Sequence, residues 1–188
     1  SSAASDEYKR QFLMTNAVIE NMVNRRSIRK YKPEQIKDEE LQAVIKAGEY
    51  APTGMGMQSP KMVVVQDKET IKLLSKINAK IMGVDSDPFY GAPTVIVVFA
   101  DKACRPTYVE DGSLVLGNLM NAAYSVGLGS CWIHRAKETF ETPEGKELMK
   151  KWGIADTCVG IGNCVLGYAD MPMPEPKERK KDYVVMVK

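Results

Sequence analysis

The chain has 188 residues, 44% hydrophobic and 27% charged, which suits one folded domain rather than a disordered chain. Its formal net charge is only +2, so basic clusters are local features in a balanced surface rather than the field of a general polyanion binder, which weakens a nucleic-acid reading. No apolar run reaches the roughly 18 residues that a helical membrane span requires. The four cysteines, Cys104, Cys131, Cys158 and Cys164, have no CxxC spacing, and His134 is the only histidine, so no metal site is expected. Free cysteines in apolar surroundings point to a reduced, cytoplasmic protein. Because the chain opens on Ser1-Ser2-Ala3-Ala4 without a methionine, an exported form with its signal removed stays open.

In chain order, residues 1–15 read as a flexible extension and 16–188 as a single domain. Asn16 is placed to cap a first helix carrying Ile19, Met22 and Val23. The run Arg25-Arg26-Ser27-Ile28-Arg29-Lys30-Tyr31-Lys32 then interrupts it. A second helix follows, with Asp38 as its candidate cap, an apolar stripe at Leu41, Val44 and Ile45, and an end at Gly48 to Pro52. The segment Ala51-Pro52-Thr53-Gly54-Met55-Gly56-Met57-Gln58-Ser59-Pro60 holds two glycines and two prolines, so it is a loop. Met62 to Gln66 reads as a strand, and Asp67 as the cap of a helix carrying Ile71, Leu74, Asn78 and Ile81. After another loop, Thr94-Val95-Ile96-Val97-Val98-Phe99 is continuously apolar and β-branched, a strand buried on both faces.

A core helix is expected from about Asp111 to Val126, since its side chains are apolar nearly all round. Gly127 stops it, and a strand follows at Ser130 to Ile133. Thr142-Pro143-Glu144 starts a further helix, cap followed by proline, with Leu148, Met149 and Trp152 on its buried side. Cys158 to Tyr168 is glycine-rich and strand-like, Met171 to Pro176 is a connector, and Tyr183 to Val187 reads as a terminal strand. Helices and strands mix without regular βαβ alternation, and the basic run precedes every strand. An α+β fold is expected rather than a doubly wound sheet.

The basic run has the chemistry of an anion cradle. Arginine presents a planar fork of donors matched to phosphate, and a serine hydroxyl with backbone N–H groups completes such a site. The competing reading is a solvated face or a nucleic-acid patch extended by Lys177 to Lys181, which requires steep salt dependence and no chromophore. Met55, Met57, Phe89, Tyr90 and Tyr108 are either packing or the lining of a substrate pocket.

Three separated pieces occur in one order: Arg25-Arg26-Ser27-Ile28-Arg29, the loop Ala51 to Gln58, and Gly127-Leu128-Gly129-Ser130-Cys131-Trp132-Ile133 after a buried helix. In this order and spacing they resemble the FMN-dependent nitroreductase family, from about Asn16 to the C-terminus. The resemblance implies a mainly antiparallel central sheet flanked by helices in an intertwined homodimer, with FMN at the subunit interface. Arg25, Arg26, Ser27 and Arg29 match the motif that holds the phosphate and ribityl chain, the last of them near the N1 edge of the flavin. Pro52, Thr53, Gly54 and Gln58 match the loop that reaches the flavin from the partner subunit. Trp132, Ile133 and His134 match the segment along the isoalloxazine face and N5 edge, and Lys177 and Arg179 match a late basic pair that closes on the phosphate. The chain departs from many relatives at Gln58-Ser59-Pro60, where they have Gln-Pro, and at His134-Arg135, where an acidic residue and glycine are common.

The implied function is an oxidoreductase with NAD(P)H as hydride donor and a small-molecule acceptor, a nitroaromatic or quinone, reduced in a two-electron ping-pong cycle. No side chain is expected as a dedicated acid or base, because the cofactor carries the chemistry. The resemblance implies neither a nucleic-acid nor a membrane partner. A non-catalytic flavin carrier or sensor is the alternative.

Overall fold

The computed structural model describes residues 14–188; of the expected extension, residues 1–13 lie outside them. Helix α1 (Ala17–Asn24) starts where Asn16 accepts from the N–H groups of Val18 and Ile19, both at 3.0 Å, as its sequence predicts. It buries none of its residues, and Val18, Met22 and Val23 are exposed. Helix α2 (Asp38–Glu49) is capped by Lys37 rather than by Asp38. Glu40 in its first turn accepts from the Lys37 N–H at 2.9 Å, which moves the boundary back by one residue.

Four strands form one sheet: β1 (Pro60–Val65), β2 (Thr94–Asp101), β3 (Gly129–Ile133) and β4 (Cys158–Gly167). Their order is β1-β2-β4-β3, and every neighbouring pair is antiparallel. Between β1 and β2 comes helix α3 (Lys68–Met82), capped by Asp67. Helix α4 (Tyr108–Ser125) begins three residues before the expected Asp111 and precedes β3. Helix α6 (Pro143–Lys151) is capped by Thr142, as expected. A short helix α5 (Ala136–Glu141), absent from the sequence reading, follows Arg135 without any side-chain cap.

Strand β2 is buried along seven of its eight residues, and its alternation divides the core. Val95, Val97 and Phe99 pack with Ile133, Phe140, Leu148 and Met149 on one face. Ile96, Val98 and Ala100 pack with Leu116, Leu119 and Val44 on the other. Two half-cores on either side of one sheet are what a helix-flanked α+β fold requires. Phe89, a candidate pocket residue, is 1% exposed and belongs to the first half-core.

The tail differs from its expected form. Among the described residues Tyr183 to Val187 pairs with no strand, and its residues are 68% to 92% exposed. A strand needs a sheet edge to satisfy its backbone, and the tail meets none within the described chain. Among the described residues no helix is long and apolar enough to cross a membrane.

Candidate active site

The basic run is extended, laid along the β3 edge of the sheet. Ser27 bridges Ser130 in parallel and Tyr31 bridges Ala169 in antiparallel fashion. The Ile28 N–H donates to the Ser130 carbonyl at 3.0 Å, and the Lys32 N–H to Tyr168 at 2.9 Å. Ile28 is 1% exposed and lies so close to Gly129 that a β-carbon there would meet it at 3.0 Å. The period-two alternation of extended backbone then sends Ser27 and Arg29 to the opposite side from Ile28. One buried isoleucine thus orients the polar residues on either side of it.

Arg26, Ser27 and Arg29 line a cleft of about 380 Å³ together with Lys177, Arg179 and Tyr183. The two basic segments, some 150 positions apart, are therefore neighbours. Among the described residues the one ion pair is Lys30 with Asp170, at 3.2 Å, so the arginines of the cleft and Lys177 have no carboxylate partner there. Arg26 is partly committed, since its Nη1 donates to the carbonyls of Val23 and Arg25 at 2.7 Å each and so caps α1. Its Nε, together with Arg25 Nη1 and Ser130 Oγ, is buried without a hydrogen-bond partner. Buried donors are normally satisfied, so three orphans at one edge fit a polar ligand such as a phosphate and its sugar-like chain. Burial pushes the Cys131 thiol above its ordinary range, opposed by the Arg29 charge, the Ser27 hydroxyl and Arg25. Burial likewise pushes the Tyr31 hydroxyl up, and it donates to the Ile28 carbonyl at 2.8 Å. Neither group supplies an anion, and Glu175 and Glu178, which also line the cleft, form no ion pair with its cations.

The Pro52 to Gln58 loop lies elsewhere in the chain. Pro52, Thr53 and Gln58 line a larger groove of about 900 Å³ with Tyr50 and Met62, and this groove shares no residue with the cationic cleft. The loop is held in a tight shape, with left-handed backbone at Met55, Gly56 and Gln58, the Gln58 N–H donating to Thr53 Oγ1 at 3.0 Å. Asp111, 2% exposed, fixes both its ends by accepting from the Gly54 N–H at 2.9 Å and from Ser59 Oγ at 2.8 Å. Gly54 packs so tightly that a β-carbon would sit 2.3 Å from Thr107 Oγ1.

The third piece ends β3. Ile133 is a core residue, 5% exposed, Trp132 packs partly buried against the opposite half-core, and His134 is exposed. The Ile133 and His134 side chains thus part, one inward and one to solvent, leaving the backbone as their shared edge. Asn163 Nδ2 donates to the Ile133 carbonyl at 3.3 Å and Asn78 Nδ2 to the His134 carbonyl at 2.8 Å. The structure therefore gathers Arg26, Ser27, Arg29, Lys177 and Arg179 and keeps Arg25 alongside, while Pro52, Thr53, Gly54 and Gln58 stand apart. The sequence places Asp111 and Asn78 on helices but assigns no role to them or to Asn163. A carboxylate in the first turn of an otherwise apolar core helix, and an asparagine on the apolar side of α3, were the available signals.

The sequence profile of the nitroreductase family matches residues 22–168. The chain belongs to the nitroreductase family. Within that setting it is 32% identical over 163 residues to the "Putative NADH dehydrogenase/NAD(P)H nitroreductase" of Archaeoglobus fulgidus, covering 85% of each chain. It is 33% identical over 136 residues to the FMN reductase (NAD(P)H) of Bacillus subtilis, covering 61% of this chain and 53% of that protein. The crystal structure of an FMN-bound nitroreductase from Bacteroides fragilis superposes with a TM-score of 0.84 at 26% identity, over 93% of this chain and all of that one. The family's α+β architecture is the one described above.

Proposed function

We propose that this nitroreductase-family chain is an FMN-dependent oxidoreductase that uses NAD(P)H to reduce nitroaromatic or quinone-type acceptors in a two-electron ping-pong cycle. The observation that carries the reading is the convergence of unpaired cations from both ends of the chain on one cleft, beside buried donors that lack partners. The FMN of the Bacteroides fragilis protein and the NAD(P)H in the names of the relatives point the same way.

In this reading Arg25, Lys177 and Arg179 hold the phosphate, with Arg26 Nε and Ser27 beside it. Each charge-assisted hydrogen bond contributes about 1.5 to 3 kcal/mol, enough for a few to retain the cofactor. When bound, FMN supplies the hydride-accepting chemistry that the side chains lack. Trp132 and the Ile133 and His134 backbone border the ring, and a cation at Arg29 favours negative charge at the ring's pyrimidine edge.

A second copy completes the site. Pro52, Thr53, Gly54 and Gln58 lie apart from their own chain's cleft, while α1 and the tail expose Val18, Met22, Val184 and Val185. Apolar surface of that kind marks an interface, and an intertwined homodimer brings each loop to its partner's cleft. The visible spectrum of the purified protein, with identification of the flavin released on denaturation, tests the cofactor. If added FMN gives no binding by fluorescence quenching, the reading falls. With flavin bound, parallel double-reciprocal plots support turnover by alternating substrates, while a flavin that NAD(P)H cannot bleach anaerobically marks a carrier or sensor.

A further inference from the structure

Asn78 sits in the interior of α3 with no exposed surface, between helix positions occupied by Leu74, Ile77 and Ala79. Asparagine is a poor helix former and a buried amide is unfavourable unless bonded, so an apolar residue would serve packing better there. Both ends of its amide are used on one target. Nδ2 donates to the His134 carbonyl at 2.8 Å, and Oδ1 accepts from Arg135 Nε at 3.0 Å. Arg135 has φ 71° and ψ 20°, a left-handed conformation that a residue with a side chain adopts only when its surroundings impose it. Its guanidinium is held again by Met82, the last residue of α3, where Nη2 meets Sδ at 3.2 Å.

We propose that Asn78 is a positioning residue that sets the backbone of the His134–Arg135 turn at the reactive edge of the flavin site. The inference rests on the FMN reading given above. A trans peptide is planar, so drawing the His134 carbonyl onto Asn78 turns the Arg135 N–H to the opposite side. Asn163, drawing the Ile133 carbonyl, does the same for the His134 N–H. Two buried asparagines on different elements thereby hold consecutive carbonyls from behind and leave the intervening amides directed away from them. Backbone donors fixed in this way stabilise charge at a ring nitrogen without reorganising during reaction. A purely structural role for Asn78 would not require it to bond both His134 and Arg135.

The test replaces Asn78→Asp, which keeps the size and the Arg135 contact but puts an oxygen against the His134 carbonyl. In flavin-free protein, amide hydrogen exchange of a peptide spanning residues 132–136 is expected to accelerate at least tenfold, with β4 unchanged. In the FMN-loaded protein, the rate of flavin reduction by NAD(P)H is expected to fall about tenfold while the FMN dissociation constant moves less than threefold. Where Asn78→Asp does not fold, Asn78→Ser, smaller and still polar, carries the same two measurements. Unchanged exchange at the turn overturns the positioning role, and so does unchanged flavin reduction with the turn loosened. Wild-type protein that binds no FMN defeats the functional reading instead, and the exchange data then decide separately whether Asn78 holds the turn.

Discussion

The Ser59 hydroxyl donates to Asp111 Oδ2 at 2.8 Å, joining the end of the Pro52 to Gln58 loop to the core helix α4 across 52 positions. The same carboxylate takes the Gly54 N–H through Oδ1. Asp111→Ala leaves both donors unmatched at a buried position, with an expected loss on the order of 3 kcal/mol, readable as a lowered urea midpoint. Asp111→Asn keeps the shape and one acceptor oxygen, so its loss should be smaller. Equal midpoints for wild type and Asp111→Ala would remove Asp111 as the anchor of the loop.

The cationic cleft makes a prediction about individual charges. Arg25→Ala or Arg29→Ala should weaken FMN by at least about 1.5 kcal/mol, roughly tenfold, because the cofactor loses a charged partner. Lys72→Ala, on the exposed side of α3, should leave affinity unchanged. Fluorescence titration at fixed ionic strength measures all three. Equal losses at Lys72 and the arginines would mean a general charge effect rather than a built site.

The pH response has a traceable source at Glu40. The Tyr168 hydroxyl donates to its carboxylate at 2.7 Å, and that bond, with the Lys37 N–H, holds the Glu40 carboxyl below the usual carboxylate range. A depressed folded pKa contributes stability that is full above the unfolded value, about 4.3, and is lost as the pH falls through the folded value. Between roughly pH 5 and 3, wild type should therefore lose more stability than Glu40→Gln. Thermal unfolding across that range gives the comparison, and parallel curves would exclude the contribution.

Removing Tyr183 to Lys188 should lower both dimer content and FMN retention. The segment carries four consecutive apolar residues, Val184 to Val187, all exposed in the single chain, and Tyr183 borders the cationic cleft. Intertwined obligate interfaces bury on the order of 2,000 Å² or more, so loss of a wrapping tail should be visible by light scattering. A stable, flavin-loaded monomer after truncation would refute the interface.

Much of this architecture is legible in the residue order. Thr94 to Phe99 announces the buried strand through its β-branched run, and Asn16, Asp67 and Thr142 announce helix starts because a cap is a local event. The short helix at Ala136 is not legible, because Arg135 ahead of it is held in a left-handed turn by Asn78 from a different helix. The tail misleads for a related reason. Its composition is that of a strand, but strand formation depends on pairing with an edge, and no described residue of the single chain pairs with it. The cradle residues are readable from their donor chemistry, whereas Asp111, Asn78 and Asn163 act through contacts made only after folding.

The cleft joins the first basic segment of the domain to the last, Arg26 and Arg29 to Lys177 and Arg179. During synthesis the whole sheet is complete at Gly167, ten positions before Lys177 appears. Residues packed against the core run on only to Met171, so a nascent chain can finish its core before it can grip a phosphate at full strength. Cofactor retention then reports on completeness. Chains clipped between Met171 and Lys177 should keep the core and carry less flavin than intact ones, a difference read from the ratio of flavin to protein absorbance.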